Sequence, residues 1–182
     1  VFSEEEWLPD TFPVDEETPT EPEDPYGLSK VVGEEIGARV ARRYDVSVVS
    51  LRASWVTYPG ADDTRTAREG FDPATAELSG NCWSYVDVRD LIAAIEAAVA
   101  PDAPEPPIDG HEAVLVVAAE NFLGRDTAPT IEAVHGDLPA DCDIEGDESV
   151  FDCSKAKRLL GWEPTHSWRE AEDADAAGPA FL

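Results

Sequence analysis

The sequence predicts an α/β fold built on a parallel sheet. Segments with helical periodicity alternate with short β-branched runs, since 46–51 follows a helical pattern over 26–44 and 113–118 follows another over 88–99. Short apolar runs of this kind are typical of strands buried on both faces of a parallel sheet. Their alternation with helices is typical of α/β architecture. At 182 residues the chain is long enough to bury one sizeable core.

The first 25 residues are predicted to form an exposed loop. They contain ten acidic residues, five prolines and no basic residue, a composition that disfavours a core element. A helix is predicted over 26–44, because Pro25 stands at a helix-starting position and apolar residues recur at helical spacing, at Val31, Val32, Ile36, Val40 and Ala41. Asp45 is expected to end this helix and the strand 46–51 to follow it.

The rest of the chain continues the alternation. A turn at 58–60 precedes a polar segment, and strands are predicted over 82–86 and 113–118. Further helices are predicted around 64–69, over 88–99 with Asp87 as its cap, from Thr127, and over 154–160 with Gly161 closing it. The proline-rich segment 101–107 is predicted to be a linker, 121–126 a loop and 170–182 a frayed tail.

The charge balance restricts the possible partners. Forty Asp and Glu stand against thirteen Lys and Arg, a formal net charge of -27. This argues against binding to nucleic acid or to an anionic membrane as the main activity. No apolar run approaches bilayer length and no signal segment opens the chain, so a soluble cytoplasmic protein is expected. The carboxylates are dispersed, with three Lys beside ten Arg, a pattern that resembles proteins of salt-loving microbes and predicts a halophilic source.

The sequence predicts no metal site. Cys82, Cys142 and Cys153 lack close pairing and are interpreted as reduced, buried thiols. The three histidines are far apart in the sequence. The acidic positions 62–63 and 141–147 lack the spacing of a calcium loop and are interpreted as solvated turns.

One pair of residues has the spacing of an acid/base site. Tyr26 and Lys30 lie four apart, so on a helix they share one face and both head groups can reach one ligand. An ammonium beside a phenol favours the phenolate, which can pass a proton to or from a hydroxyl. The spacing alone is a weak signal, and the surrounding sequence decides its weight.

Four ordered segments carry a family resemblance. The chain resembles the extended short-chain dehydrogenase/reductases, the NAD-dependent epimerase/dehydratase group, in PYGLSKVVGEE at 25–35, SLRASWVTYPG at 50–60, NCWSYVDVRDL at 81–91 and SKAKRLLGWEP at 154–164. The resemblance implies a doubly wound, Rossmann-like parallel sheet and a small α/β substrate-binding lobe. It implies binding of NAD, with NADP left open, and modification of a sugar or nucleotide-sugar by transient hydride transfer.

The resemblance assigns roles to particular residues. Tyr26 is expected to be the acid/base and Lys30 to hold the nicotinamide ribose, with Ala53, Ser54 and Val56 near the nicotinamide. Three further positions are expected to touch the substrate, namely Trp55, Asn81 and Trp83.

Two departures from the family pattern bear on the substrate. Trp55 stands where many relatives have a substrate-contacting Asn, and Asn81-Cys82-Trp83-Ser84 stands where many nucleotide-sugar enzymes have an Arg for the diphosphate. A free sugar or uronate therefore remains an alternative to a nucleotide-sugar. For Trp83, packing in the core is favoured over stacking on a sugar.

The family's glycine-rich phosphate turn does not occur among the 182 residues. The chain is therefore expected to be the C-terminal portion of the enzyme, inactive alone, with the family's catalytic Ser or Thr just before Val1. Four segments are expected. Residues 1–60 are the end of the Rossmann domain with the acidic loop and the Tyr/Lys helix, and 61–86 are a first segment of the substrate-binding lobe. Residues 87–120 are a Rossmann helix and strand, and 121–182 are the rest of the lobe and the tail.

Relatives commonly pair through the Tyr/Lys helix, which implies a homodimer. Two other interpretations stay open. In the first, the chain is a non-catalytic relative that binds a metabolite or partner on the same fold. In the second, it is an acidic interaction module in its own right. Fold alone does not separate these from an enzyme.

Overall fold

The computed structural model describes residues 8–60, 63–77, 80–100 and 108–171. Its helices are α1 Pro25–Tyr44, α2 Asp63–Glu69, α3 Val88–Val99, α4 Thr127–His135, α5 Ser154–Leu160 and α6 Trp168–Ala171. Its strands are β1 Thr11–Phe12, β2 Val48–Ala53, β3 Trp55–Thr57, β4 Tyr85–Asp87, β5 His111–Val116 and β6 Asp141–Cys142. The expectations for 1–7 of the N-terminal loop, for the acidic position 62, for the 101–107 linker and for the tail beyond 171 concern residues outside the described ranges.

All ladders between these strands are parallel, as the predicted α/β class requires. β2 pairs with β5 over six residues, from Val48 beside His111 to Ala53 beside Val116. β3 pairs with β4, and β1 pairs with β6. The fold class is confirmed.

Strand β5 is buried on both of its faces. Leu115 and Val117 belong to one buried cluster, together with Trp83 and Tyr85. Val114 and Val116 belong to a second cluster, which contains residues of α3 and α5. Successive side chains of a strand point to opposite faces, so helices cover this sheet on two sides. The uninterrupted apolar run that predicted β5 follows from this double burial.

Helix α1 ends where predicted and begins one residue earlier than predicted. Asp24 precedes it in extended conformation and accepts a hydrogen bond from the Gly27 backbone N–H at 2.5 Å. Pro25 supplies a fixed φ at the first turn. Asp45 ends the helix with a left-handed φ of 54°, and its backbone N–H bonds to the Ala41 carbonyl.

Most of the apolar residues whose spacing predicted α1 do not face the core. Val32, Ile36 and Val40 are exposed, Ile36 by 59%. The helix meets the sheet through smaller residues, because Ala41 is buried and Gly37 approaches β2 and β5 closely. A Cβ at Gly37 would lie 3.2 Å from the Val48 side chain, so the small face fits the sheet and the apolar stripe stays outside.

The expectation of a wholly exposed N-terminal loop is also wrong. Phe12 and Val14 are buried in the first cluster. Val14 donates its backbone N–H to the Val150 carbonyl at 2.7 Å, and β1 pairs with β6. The second strand of this ladder lies in the acidic stretch 141–147, which was interpreted as solvated turns. Two alternate apolar side chains are enough to dock this acidic segment on the core.

All three predicted strands have other boundaries in the structure, at Val48–Ala53, Tyr85–Asp87 and His111–Val116. In the predicted strand 82–86, Cys82 and Trp83 adopt positive φ values of 44° and 59°, and the strand begins only at Tyr85. Strand β2 begins at Val48 because exposed Val46 precedes its ladder. Strand β5 ends at Val116, where its pairing with β2 ends.

The start of α3 clasps the segment that follows α5. Asp87 caps the helix, as predicted, by accepting a hydrogen bond from the Arg89 backbone N–H. Asp90, in the first turn of the helix, is 1% exposed. Its carboxylate accepts the Thr165 hydroxyl and the Thr165 and His166 backbone N–H groups at 2.9–3.0 Å, and His166 Nδ1 lies 2.7 Å away.

This clasp is completed by a tryptophan. Gly161 ends α5 in the left-handed region at φ 65°, as predicted, and Trp162 follows it into the second cluster. The Trp162 indole N–H donates to the Asp90 backbone carbonyl at 2.9 Å. One buried carboxylate and one indole therefore fix the C-terminal segment on α3.

The three cysteines are unpaired. Burial raises the pKa of the Cys82 and Cys153 thiols to about 12, which keeps both protonated and unreactive near neutral pH. Among the described residues, no helix is both long and apolar enough to cross a membrane.

Replacing Asp90 by Ala is expected to destabilise the chain by about 2–3 kcal/mol, because the donors of the clasp lose a buried charged acceptor. Chemical denaturation measures the change, and Asp137→Ala, at an exposed position, is the matched control. If both variants lose the same small amount of stability, the clasp contributes nothing and this description of the C-terminal segment is wrong.

Candidate functional site

Three side chains of α1 form a polar stripe at spacing four. Tyr26, Lys30 and Glu34 occupy successive turns, so they lie on one face of the helix. The Lys30 Nζ lies 4.6 Å from the centroid of the Tyr26 ring, which is within cation–π distance. The tyrosine–lysine pair predicted from sequence is thus brought together.

The third residue of the stripe is held by the sheet. Arg52 of β2 donates from Nε to Glu34 Oε1 and from its terminal nitrogen to Oε2, both at 2.8 Å. The hydrogen bonds from Arg52 hold the pKa of the Glu34 carboxyl below its ordinary value. The same bonds raise the pKa of Arg52. This two-pronged ion pair ties α1 to β2.

The stripe faces a cavity of about 580 Å³. Its wall includes the three stripe residues and the successive residues 50–54 of β2 and the turn after it. Successive residues of a strand point to opposite faces, so a cavity that touches all five follows an edge of the strand as well as a face. Among the described residues, β2 pairs with β5 alone, and Leu115 of β5 also lines the cavity.

Six of the eight predicted site residues line this cavity. They are Tyr26, Lys30, Ala53, Ser54, Val56 and Asn81. The Ser54 hydroxyl is engaged, since it donates to the Ser84 carbonyl at 2.8 Å. Ala53 and Val56 give this part of the wall an apolar surface. The end of β2 and the start of β3 therefore meet the cavity where the resemblance implied the nicotinamide.

A strained turn presents Asn81 to the cavity. Its amide oxygen accepts the Trp83 backbone N–H at 3.1 Å, and its amide nitrogen donates to the Ser84 carbonyl at 3.2 Å. Cys82 and Trp83, which lie between Asn81 and Ser84, both have positive φ. This conformation costs free energy for non-glycine residues. The turn fixes the direction of Asn81.

Trp55 and Trp83 do not line the cavity. Trp83 is 6% exposed and packs edge-on against Phe71, with ring centroids 5.3 Å apart. Trp55 packs in the same way against Phe122 at 5.3 Å. Both indoles serve the first buried cluster, as was favoured for Trp83.

Sequence reasoning missed several cavity residues. Glu34 continues the spacing of the Tyr–Lys pair by one more turn, and that signal was available. Arg52 also lies in the cavity wall, and no sequence pattern predicts its place there. The remaining missed polar residues come from the acidic loop and from β2, and they are Asp15, Thr18, Thr20 and Ser50.

The arrangement suits proton transfer to a hydroxylated ligand. The Tyr26 phenol is 68% exposed at the mouth of the cavity, with a cation beside its ring. A phenol next to an ammonium can act as acid or base toward a ligand hydroxyl. Within the described residues, no group of three or more His, Cys, Asp or Glu side chains forms a metal site.

Comparison with known proteins gives one family match. The model of the NAD dependent epimerase/dehydratase family matches residues 3–108. No curated protein matches the chain.

Three solved structures illustrate the likeness in fold. UDP-glucuronic acid 4-epimerase from Bacillus cereus, in complex with UDP-glucuronic acid and NAD, has 21% identity and a TM-score of 0.58 over 96% of this chain. Glucuronic acid dehydrogenase from Chromohalobacter salexigens has 21% identity and a TM-score of 0.50 over 96%. A UDP-galactose 4-epimerase has 26% identity and a TM-score of 0.54 over 90%. This chain covers 57%, 50% and 55% of those proteins, respectively.

Replacing Glu34 by Gln is expected to lower the free energy of unfolding at neutral pH by about 1–2 kcal/mol. Because the folded pKa of Glu34 is depressed, the ion pair stabilises fully above the ordinary glutamate pKa and is lost as pH falls through the folded value. Denaturant titrations at neutral pH and at about pH 3 should therefore show the difference between wild type and variant shrinking in acid.

Glu35→Gln, at an exposed position of the same helix, is the control for the loss of one negative charge. A difference for Glu34→Gln that stays constant between the two pH values, or that equals the control, would contradict a charged pair.

Proposed function

Since the chain belongs to the NAD dependent epimerase/dehydratase family, we propose that it forms the catalytic part of an NAD-dependent enzyme that oxidises or epimerises a sugar or nucleotide-sugar. The single observation that carries this proposal is the position of Tyr26 and Lys30 together on the wall of a cavity. Tyr26 is the acid/base, and Lys30 holds the nicotinamide ribose.

The residues present fit one end of NAD. The phenol and the ammonium are donors suited to ribose hydroxyls, and the apolar surface of Ala53 and Val56 suits the nicotinamide ring. NAD, when bound, supplies a hydride acceptor that can later return the hydride. The fit concerns this end alone, because the 182 residues contain no glycine-rich turn for the pyrophosphate.

Tyr26 would act on a hydroxyl of the substrate. As a phenolate it accepts the hydroxyl proton while the attached carbon gives up a hydride and the C–O bond becomes a carbonyl. In the reverse direction, Tyr26 returns the proton to the carbonyl oxygen as a hydride arrives.

Asn81 is the remaining candidate for a substrate contact, since its turn fixes it on the cavity wall. Trp55 and Trp83 have no part in the proposal because their rings pack in the core. The division at 60, 86 and 120 into Rossmann and lobe segments remains part of it, with the proposed site formed by residues of the first two segments.

A free sugar or uronate is the second candidate substrate. Among the described cavity residues, the cations are Lys30 and Arg52, and both prongs of Arg52 are committed to Glu34. A diphosphate normally attracts bidentate arginines, so this wall favours a substrate without one. Similar folds occur in proteins of both kinds, a UDP-glucuronic acid epimerase and a glucuronic acid dehydrogenase.

We also propose that the chain forms a homodimer through α1. The residues that it exposes at spacing four are apolar, namely Leu28, Val32, Ile36, Val40 and Tyr44. An apolar stripe on a surface that otherwise carries dense negative charge suits a second copy of itself, because the same stripe meets its own equivalent across a twofold axis.

Replacing Tyr26 by Phe in the natural gene product is expected to lower turnover at least about a hundredfold while leaving NAD affinity little changed, because only the proton carrier is lost. Lys30→Met should weaken NAD binding as well. NADH absorbance with glucuronic acid, epimer analysis with UDP-glucuronic acid, and calorimetric titration of NAD measure these effects.

Tyr44→Phe is the matched control, because Tyr44 is an equally exposed tyrosine near the other end of α1. If Tyr26→Phe turns over as fast as this control, Tyr26 is not the acid/base. If the wild type shows no turnover although it binds its ligand, the chain belongs to a non-catalytic, metabolite-binding protein.

Sedimentation equilibrium at high salt should give a dimer for the wild-type chain and a monomer for the double variant Val32→Glu, Ile36→Glu. Arg39→Glu, at another exposed position of α1, controls for added negative charge and should remain dimeric. A monomeric wild type would contradict the proposed interface.

A further inference from the structure

We propose that Arg52 acts as a positioning residue that keeps the Lys30 ammonium available by holding the Glu34 carboxylate away from it. Lys30 and Glu34 lie four apart on α1, a spacing at which opposite charges on a helix normally pair. In the structure, the carboxylate is bound instead to the guanidinium of a neighbouring strand.

Both oxygens of Glu34 are occupied by Arg52. Each accepts one N–H at 2.8 Å, and the planar guanidinium fork matches the carboxylate in a way that a lysine ammonium cannot. The partners are partly buried, with side-chain exposures of 22% and 23%, so solvent screens the pair less than it would at the surface. The competition for Glu34 therefore favours Arg52 over Lys30.

The chain's three lysines show the contrast. Lys155 pairs with Glu112 at 2.9 Å and Lys157 with Glu163 at 2.6 Å. Lys30 is the lysine for which the structure gives no carboxylate partner among the described residues, and its neighbour is the Tyr26 ring. In a chain with forty acidic and thirteen basic residues, an ammonium that remains unpaired beside a glutamate requires a reason.

Other carboxylates around this cavity are also engaged. Asp15 lines the same wall, and its Oδ1 accepts the Glu17 and Thr18 backbone N–H groups at 2.9 and 3.2 Å. Asp24 caps the start of α1. Glu34 is thus the carboxylate whose release would change the charge next to Lys30.

This role gives Arg52 a function beyond joining helix and strand. If the pair were purely structural, removing Arg52 would affect Lys30 no more than removing Glu34 does. A pair that sequesters charge predicts a specific asymmetry, in which removing Arg52 harms Lys30 only while Glu34 keeps its charge. The consequence for ribose binding rests on the proposed function, but the charge arrangement does not.

The test is competitive acylation of the three lysines in the 182-residue chain, followed by mass spectrometry. The rate at Lys30 is expressed relative to Lys155 and Lys157, whose carboxylate partners, Glu112 and Glu163, are unchanged in all variants. Arg52→Met is expected to slow Lys30 about threefold, because the freed carboxylate pairs with its ammonium. Glu34→Gln alone should leave Lys30 unchanged, and Glu34→Gln with Arg52→Met should restore the wild-type rate.

Near-ultraviolet circular dichroism reports whether each variant is folded. If Arg52→Met unfolds, Arg52→Lys replaces it, with a smaller slowing expected because the lysine cannot bind both carboxylate oxygens. Equal rates at Lys30 in the wild type and in the folded Arg52 variant would overturn the proposal. An equally slow Lys30 in the double variant would also overturn it, since the cause would then be loss of structure.

The labelling uses neither NAD nor a sugar, so its result is separate from that of the enzyme assays. If Arg52→Met slows Lys30 and the double variant restores its rate, but the natural gene product is inactive in the enzyme assays, the charge arrangement stands and the proposed function is wrong. An active enzyme in which Arg52 variants leave Lys30 unaffected would do the reverse.

Discussion

The docking of α1 against the β2–β5 pair is the contact on which the candidate site depends. Two features make it possible. Gly37 lets the helix approach Val48 and His111 more closely than a larger residue could, and Arg52 grips Glu34 through two hydrogen bonds. Together they fix the rotation of the helix, so the face that carries Tyr26 and Lys30 borders the cavity rather than the core.

The same docking explains the exposed apolar stripe. A helix that packs through small residues leaves its larger apolar residues on the outer side, and α1 does so with Val32, Ile36 and Val40. The polar face therefore borders the cavity, and the apolar face remains exposed. The sheet provides a fixed support for α1 because β5 is anchored by buried clusters on both of its faces.

Much of this fold could be predicted from local sequence. Strong caps and apolar periodicity determined the limits of α1, α3 and α5, and the tyrosine–lysine spacing indicated the site. What could not be predicted depends on distant partners. The burial of Phe12 requires β6, and the burial of Asp90 requires the segment after Gly161. The apolar periodicity of α1 predicts a helix but does not reveal its inner face, because that face is set by the close approach that Gly37 permits.

The most direct test of the account is a crystal structure of the natural gene product with NAD. We expect the nicotinamide ribose to lie within hydrogen-bonding distance of the Tyr26 hydroxyl and the Lys30 ammonium, with the nicotinamide ring against Ala53 and Val56. A ribose bound away from α1, or a Lys30 that turns to pair with Glu34 in the complex, would contradict it.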